Sequence, residues 1–138
     1  MIKKINHIGL VVQKIDPLLS VLKAAFGARE ILRAEIPVQN QISCIVQLGD
    51  GYLELMEPTS SQGAAGKFLS QKGEGLHHIS LVCNDVDAMA AKLEKEGVRV
   101  IRGDLGARGK IAFVHPKSLS GLLLEITNLD SSQESPSS

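Results

Sequence analysis

Apolar and polar positions alternate with the two-residue period of a strand over residues 5–12. Ile8, Leu10 and Val12 fall on one face, and His7, Gly9 and Val11 on the other. The period then changes. Asp16-Pro17 opens a helix with Asp as cap, Leu18, Leu19, Leu22, Ala25 and Phe26 form its apolar stripe, and Gly27 stops it. Strands are predicted over 29–36, 42–48 and 52–56, with Pro37 ending the first and Gly49-Asp50-Gly51 marking a hairpin between the other two. Residues 59–66 read as a polar connector and 67–71 as a helical turn. A second round follows: a strand over 76–83, a helix capped by Asp85 or Asp87 and stopped by Gly97, and strands over 98–102, 111–115 and 122–127. A glycine-rich loop occupies 103–109, and the Ser-, Gln- and Pro-rich end reads as a disordered tail over 131–138.

The two rounds keep register with each other. His7 and His78 lie 71 residues apart, as do Glu54 and Glu125, and Asp16 and Asp87. A polar residue planted at the same point of an apolar strand in each copy indicates a duplicated unit. The pattern predicts an α+β fold of two tandem βαβββ modules, at about 3–58 and 75–129, within a single domain spanning 1–130. Two copies of so long a repeat do not make a solenoid.

Composition narrows the classes. Of 138 residues, 43% are hydrophobic and 22% charged, which is a globular balance. The formal net charge is zero, and there is no Trp and one Tyr, so nothing points to nucleic acid or a membrane surface. The two cysteines, Cys44 and Cys83, form no CxxC pair and read as reduced thiols of a cytoplasmic protein. No apolar run is long enough to span a membrane.

Glu54 sits between Leu53 and Leu55, and Glu125 between Leu124 and Ile126. A carboxylate in so apolar a strand needs a proton, a cation or a metal, because uncompensated burial costs several kcal/mol. With His7 and His78 the two acids make a mixed nitrogen and oxygen donor set. That set suits a borderline or hard divalent ion with coordination positions left for water or substrate, and not thiolate-type structural zinc.

Several segments carry a family resemblance: Ile5-Asn6-His7-Ile8, Leu53-Glu54-Leu55, Gly75-Leu76-His77-His78-Ile79, His115-Pro116-Lys117-Ser118 and the stretch from Gly121 to Ile126. Over residues 3–129 the chain resembles the vicinal oxygen chelate (glyoxalase/bleomycin resistance) superfamily. Its methylmalonyl-CoA epimerase branch is favoured by the His-His pair and the His-Pro-Lys-Ser segment. The resemblance implies a curved mixed sheet around a metal site and one divalent ion per chain (Co, Ni, Zn, Mn or Mg). It also implies a homodimer and a small-molecule thioester substrate. His7, Glu54, His78 and Glu125 would be the metal ligands, and Glu125 would double as the catalytic base. His77, on the opposite face of its strand, reads as structural.

The implied reaction removes the proton at C2 of a malonyl-type thioester and returns it to the other face. Epimerases of this branch carry a second base, a glutamate in the loop after the second strand. Here an ungapped count places Val38 there, with Glu35 three residues earlier. A glyoxalase I-like lactoylglutathione lyase, or another isomerase or lyase of the superfamily, is therefore the competing expectation. Superfamily members that sequester drugs use aromatic-lined clefts, and the single Tyr, the absence of Trp and the four candidate ligands argue against that reading. Arg99, Arg102, Arg108, Lys110 and Lys117 are candidate partners for the phosphates of coenzyme A, Lys117 foremost, against the plainer reading of a solvated surface.

Overall fold

The computed structural model describes residues 1–104 and 109–133. Among them are eight strands and three α-helices: β1 Ile2–Val11, α1 Ile15–Phe26, β2 Arg29–Ile36, β3 Gln41–Leu48, β4 Gly51–Pro58, α2 Gly63–Lys72, β5 Gly75–Cys83, α3 Val86–Lys95, β6 Val100–Asp104, β7 Lys110–Val114 and β8 Leu124–Thr127. The α+β class and the strand, helix, three-strand order of each module match the reading from sequence. The described residues form two compact units, one of His7–His77 and one of Met1–Asn6 with His78–Gln133.

In the first unit, β2, β3 and β4 pair antiparallel and β1 joins β4 in parallel, with Gly9 opposite Glu54 and Leu10 opposite Leu55. Alternation then assigns the faces. Ile42, Cys44, Val46, Leu53, Leu55, Leu10 and Val12 pack under Ile15, Leu19 and Leu22 of α1. Burial of each such leucine contributes about 1.5–3 kcal/mol. The stripe is narrower than predicted, since Phe26 is 65% exposed. Helix α1 ends as expected at Gly27, left-handed at φ 69° with its N–H on the Leu22 carbonyl. Its start differs from expectation. The cap position is Lys14 and no side chain caps it. Glu57 on β4 instead takes the Ile15 N–H at 2.8 Å, and Asp16, inside the first turn, pairs with Arg33 at 2.8 Å.

Helix α2 is a correction, because a polar connector and a single turn were expected where ten residues are helical. Ala65, Phe68 and Leu69 pack against Val11 and Met56, on the sheet face opposite α1. Two glycines permit the approach. Gly63 has φ +84° and a Cβ there would lie 2.7 Å from the Gln39 carbonyl, while a Cβ at Gly66 would overlap the Ser60 carbonyl.

In the second unit, β5 pairs with β8 in parallel, and β8, β7 and β6 are antiparallel neighbours. Helix α3 packs on Cys83, Ala112, Val114 and Ile126. Asp85, not Asp87, caps it, accepting the Ala88 N–H at 3.0 Å. Ser131–Gln133, expected in the tail, form a turn of 3-10 helix with Ser131 buried. The carboxyl-terminal residues beyond Gln133 lie outside the described residues, as do positions 105–108 of the glycine-rich loop.

Candidate active site

The parallel pairings preserve the duplication. Ile8 faces Leu53 and Gly9 faces Glu54, while Ile79 faces Leu124 and Ser80 faces Glu125. In each module the small residue two places after the histidine lies directly across from the glutamate. Residues two apart share a face, and so do directly opposed residues, so histidine and glutamate project side by side. His7 Nε2 lies 3.4 Å from Glu54 Oε1, and His78 Nε2 lies 3.7 Å from Glu125 Oε2. Donors about 2.1 Å from a shared ion at right angles stand about 3 Å apart, so each pair needs little adjustment to bind one. His7, His78 and Glu125 are 6%, 4% and 7% exposed. These mixed, withdrawn donors fit a divalent ion, and His7, Glu54 and His78 are of the residue types that hold one.

The surroundings of the two pairs differ. In the first unit the histidine-bearing face carries Ile45 opposite Glu54, then Ser43 opposite Met56 and Gln41 opposite Pro58. Gln41 and Ser43 are buried, and the Gln41 amide donates to the Ser43 hydroxyl at 2.7 Å. Leu32, Ala34 and Ile36 of β2 continue that face. Glu54 is its only carboxylate among the described residues, and Arg29, opposite Gln47 on the same face, donates to Gln47 Oε1 at 2.7 Å. Glu35 pairs with Ile42, which places it on the α1 side, away from His7 and Glu54. Val38 sits in the 3-10 turn Pro37–Gln39 and is 71% exposed.

In the second unit Phe113 stands opposite Glu125, and its ring meets His78 edge-on with centroids 6.4 Å apart. It shields the pair from water on that side. Arg102 and Lys110 lie on the opposite face, where Arg102 pairs with Glu94 and Asp87, and Lys110 with Asp87. The Lys110 hydrogen bond, aided by the charges of Lys110 and Arg102, holds the Asp87 carboxyl below its usual range, and Glu94 raises the Arg102 guanidinium. These two cations therefore serve α3. Lys117 is exposed on the 3-10 turn Pro116–Leu119, and its backbone N–H donates to His115 Nδ1 at 3.1 Å. Arg99 is exposed, and Arg108 lies outside the described residues. His77 packs edge-on against Phe68, 5.0 Å between centroids.

Residues 6–113 match the Glyoxalase/Bleomycin resistance protein/Dioxygenase superfamily. The chain belongs to this superfamily. Within it, the chain is 32% identical to the uncharacterized protein YqjC of Bacillus subtilis, over 89% of this chain and 90% of that protein. It is 28% identical to human mitochondrial methylmalonyl-CoA epimerase, over 89% of this chain and 72% of the relative. Among solved structures, a variant of Streptomyces coelicolor methylmalonyl-CoA epimerase in complex with 2-nitronate-propionyl-CoA is 32% identical. It superposes with a TM-score of 0.86 over 99% of this chain and 100% of that one. The superfamily and its epimerase branch are thus the ones the sequence resembles.

Two polar residues near the site were not singled out from sequence. Asn6 appears in the repeat only as the counterpart of His77, yet it is 3% exposed and makes three side-chain hydrogen bonds. Ser80 stands out only as a small residue. Their signal was present, a polar residue within an apolar strand, but the partners of Asn6 are 74 to 125 positions away.

Proposed function

We propose that this protein is a divalent-metal-dependent epimerase of methylmalonyl-CoA or a similar acyl-CoA thioester. The observation that supports it most is the repeated His–Glu pairing in matched register, in a chain similar to methylmalonyl-CoA epimerases along nearly its full length. His7, Glu54, His78 and Glu125 would hold one ion, which would supply Lewis-acid polarisation of the thioester and carboxylate oxygens. Glu125 takes the proton from C2. Its position beside Phe113 keeps bulk water from competing for that proton. The apolar side chains Leu32, Ile36 and Ile45 offer a wall for the alkyl substituent at C2. Lys117, exposed, meets a phosphate of coenzyme A. The protein acts as a homodimer.

One observation favours a second reading. Among the described residues the face of the first unit has no carboxylate besides Glu54, and Glu35 points away. A reaction using one base, such as that of a glyoxalase I-like lyase on a glutathione hemithioacetal, fits such a face. One paired assay separates the two. In deuterated solvent the epimerase reading expects deuterium at C2 of methylmalonyl-CoA and no conversion of a methylglyoxal–glutathione adduct; the reverse result selects the lyase. Glu125→Gln should lower turnover about 100- to 10 000-fold. Full turnover in that variant would remove Glu125 from the role of base.

A further inference from the structure

In the first unit a polar row runs outward from the candidate ligand His7. The β1–β4 register, with Ile8 opposite Leu53, brings His7 level with Tyr52. Tyr52 stands opposite Gln47, and Gln47 opposite Arg29, the first residue of β2. Directly opposed residues share a face, so all four lie on the face of Glu54, one row away from it. Neighbouring strands stand about 4.8 Å apart, so the steps across β4, β3 and β2 put Arg29 about 14 Å from His7. The charges of β2 are sorted between its faces. Glu30 and Arg33 lie opposite Val46 and Cys44, on the α1 side, where Arg33 pairs with Asp16 at 2.8 Å and with Glu30 at 3.2 Å. Arg29 takes no part in that network. It is exposed, and among the described residues its side-chain partner is the neutral amide of Gln47, whose Oε1 accepts from it at 2.7 Å. Arg102 and Lys110, by contrast, give their charges to Asp87 and Glu94. A guanidinium is a planar fork of donors, always charged, and its shape matches a phosphate. Arg29 thus offers positive charge and spare donors on the histidine-bearing face, with Gln47 holding its orientation.

From this row we infer that Arg29 is the anchor for the diphosphate of coenzyme A, with Tyr52 and Gln47 lining the track of the pantetheine arm. That arm is about as long as an extended run of five residues, roughly 16–18 Å. The row and the reach of an arginine side chain together match it. Coenzyme A also carries a phosphate on its ribose, which leaves a role for Lys117. The inference rests on the proposed reading of the substrate as a coenzyme A thioester.

The test measures binding without turnover. Calorimetry gives Kd for coenzyme A, for dephospho-coenzyme A, which keeps the diphosphate, and for pantetheine, which lacks it. Arg29→Ala should weaken the first two about 10- to 100-fold, the worth of a charge-assisted hydrogen bond, and leave pantetheine within about twofold. Arg29→Lys should recover part of the loss, since it keeps the charge and not the fork. Gln47→Ala keeps the charge and frees the guanidinium, and should weaken coenzyme A about two- to fivefold. Coenzyme A affinity should also fall less steeply with salt in Arg29→Ala than in wild type. An unchanged coenzyme A affinity in Arg29→Ala overturns the inference. So does an equal loss for pantetheine, which marks a damaged fold, and so does a loss confined to coenzyme A, which puts Arg29 on the ribose phosphate. Deuterium exchange at C2 of methylmalonyl-CoA is measured alongside. Wild type that binds coenzyme A through Arg29 and exchanges nothing at C2 refutes the epimerase reading and leaves the anchor standing. Exchange at C2 with a coenzyme A affinity indifferent to Arg29 does the reverse.

Discussion

Glu54 and Glu125 show how far a single residue can be read. Their spacing and apolar neighbours single both out, and each does pair with its module's histidine. Glu35 shows the limit, because its availability depends on a strand register that places it on the α1 face. Cys44 is legible as a buried thiol, and the structure adds a consequence. Burial pushes its pKa up from 9.0 to about 11. The unfolded thiol ionises first as pH rises, so the stability that Cys44 contributes is present below pH 9 and is lost between pH 9 and about 11. Wild type should exceed Cys44→Ala in urea stability at pH 8, and the gap should narrow by on the order of 2 kcal/mol by pH 11. A gap independent of pH would contradict this assignment.

Elements were legible where their own residues decide them. The strand over Arg29–Ile36 and the Gly27 stop depend on local pattern and on a left-handed glycine. Helix starts were less so. Asp16 and Asp87 occupy the same position in their helices, but the first turn of α1 is satisfied by Glu57, 42 residues away, and that of α3 by Asp85. Accordingly, Asp85→Ala should destabilise the fold by about 1 kcal/mol, the usual cost of a lost cap. Asp16→Ala should cost less than about 0.5 kcal/mol, since it breaks only an exposed ion pair with Arg33. Urea midpoints of the two variants check this directly. Helix α2 was missed because Gly63 and Gly66 lower its local propensity, while its stability comes from packing on Val11 and Met56. Gly66→Ala should force the Ser60 backbone to move and destabilise by about 1–3 kcal/mol. Faster proteolysis within 60–72 should accompany the loss.

At the scale of the whole molecule, ion binding should be coupled to stability. If the four residues share one ion, chelation should lower the melting temperature, and excess metal should restore it. At a free concentration 100 times Kd the ion adds about 2.7 kcal/mol. Elemental analysis should find about one divalent ion per chain, and His7→Ala should remove both the ion and the shift. A melting temperature indifferent to chelator would count against the shared site.

The sequence alone determined the duplication, the module order and the four candidate ligands, because each is written in local periodicity or in one repeated spacing. Tertiary structure decided what lies across from what. It turned Glu35 and Arg102 away from the histidine-bearing faces, seated α2 on Val11, and placed Asn6 against Ser80 beside Glu125. Those outcomes depend on contacts between residues distant in the chain, and a strand shifted by one residue would reverse every one of its side chains.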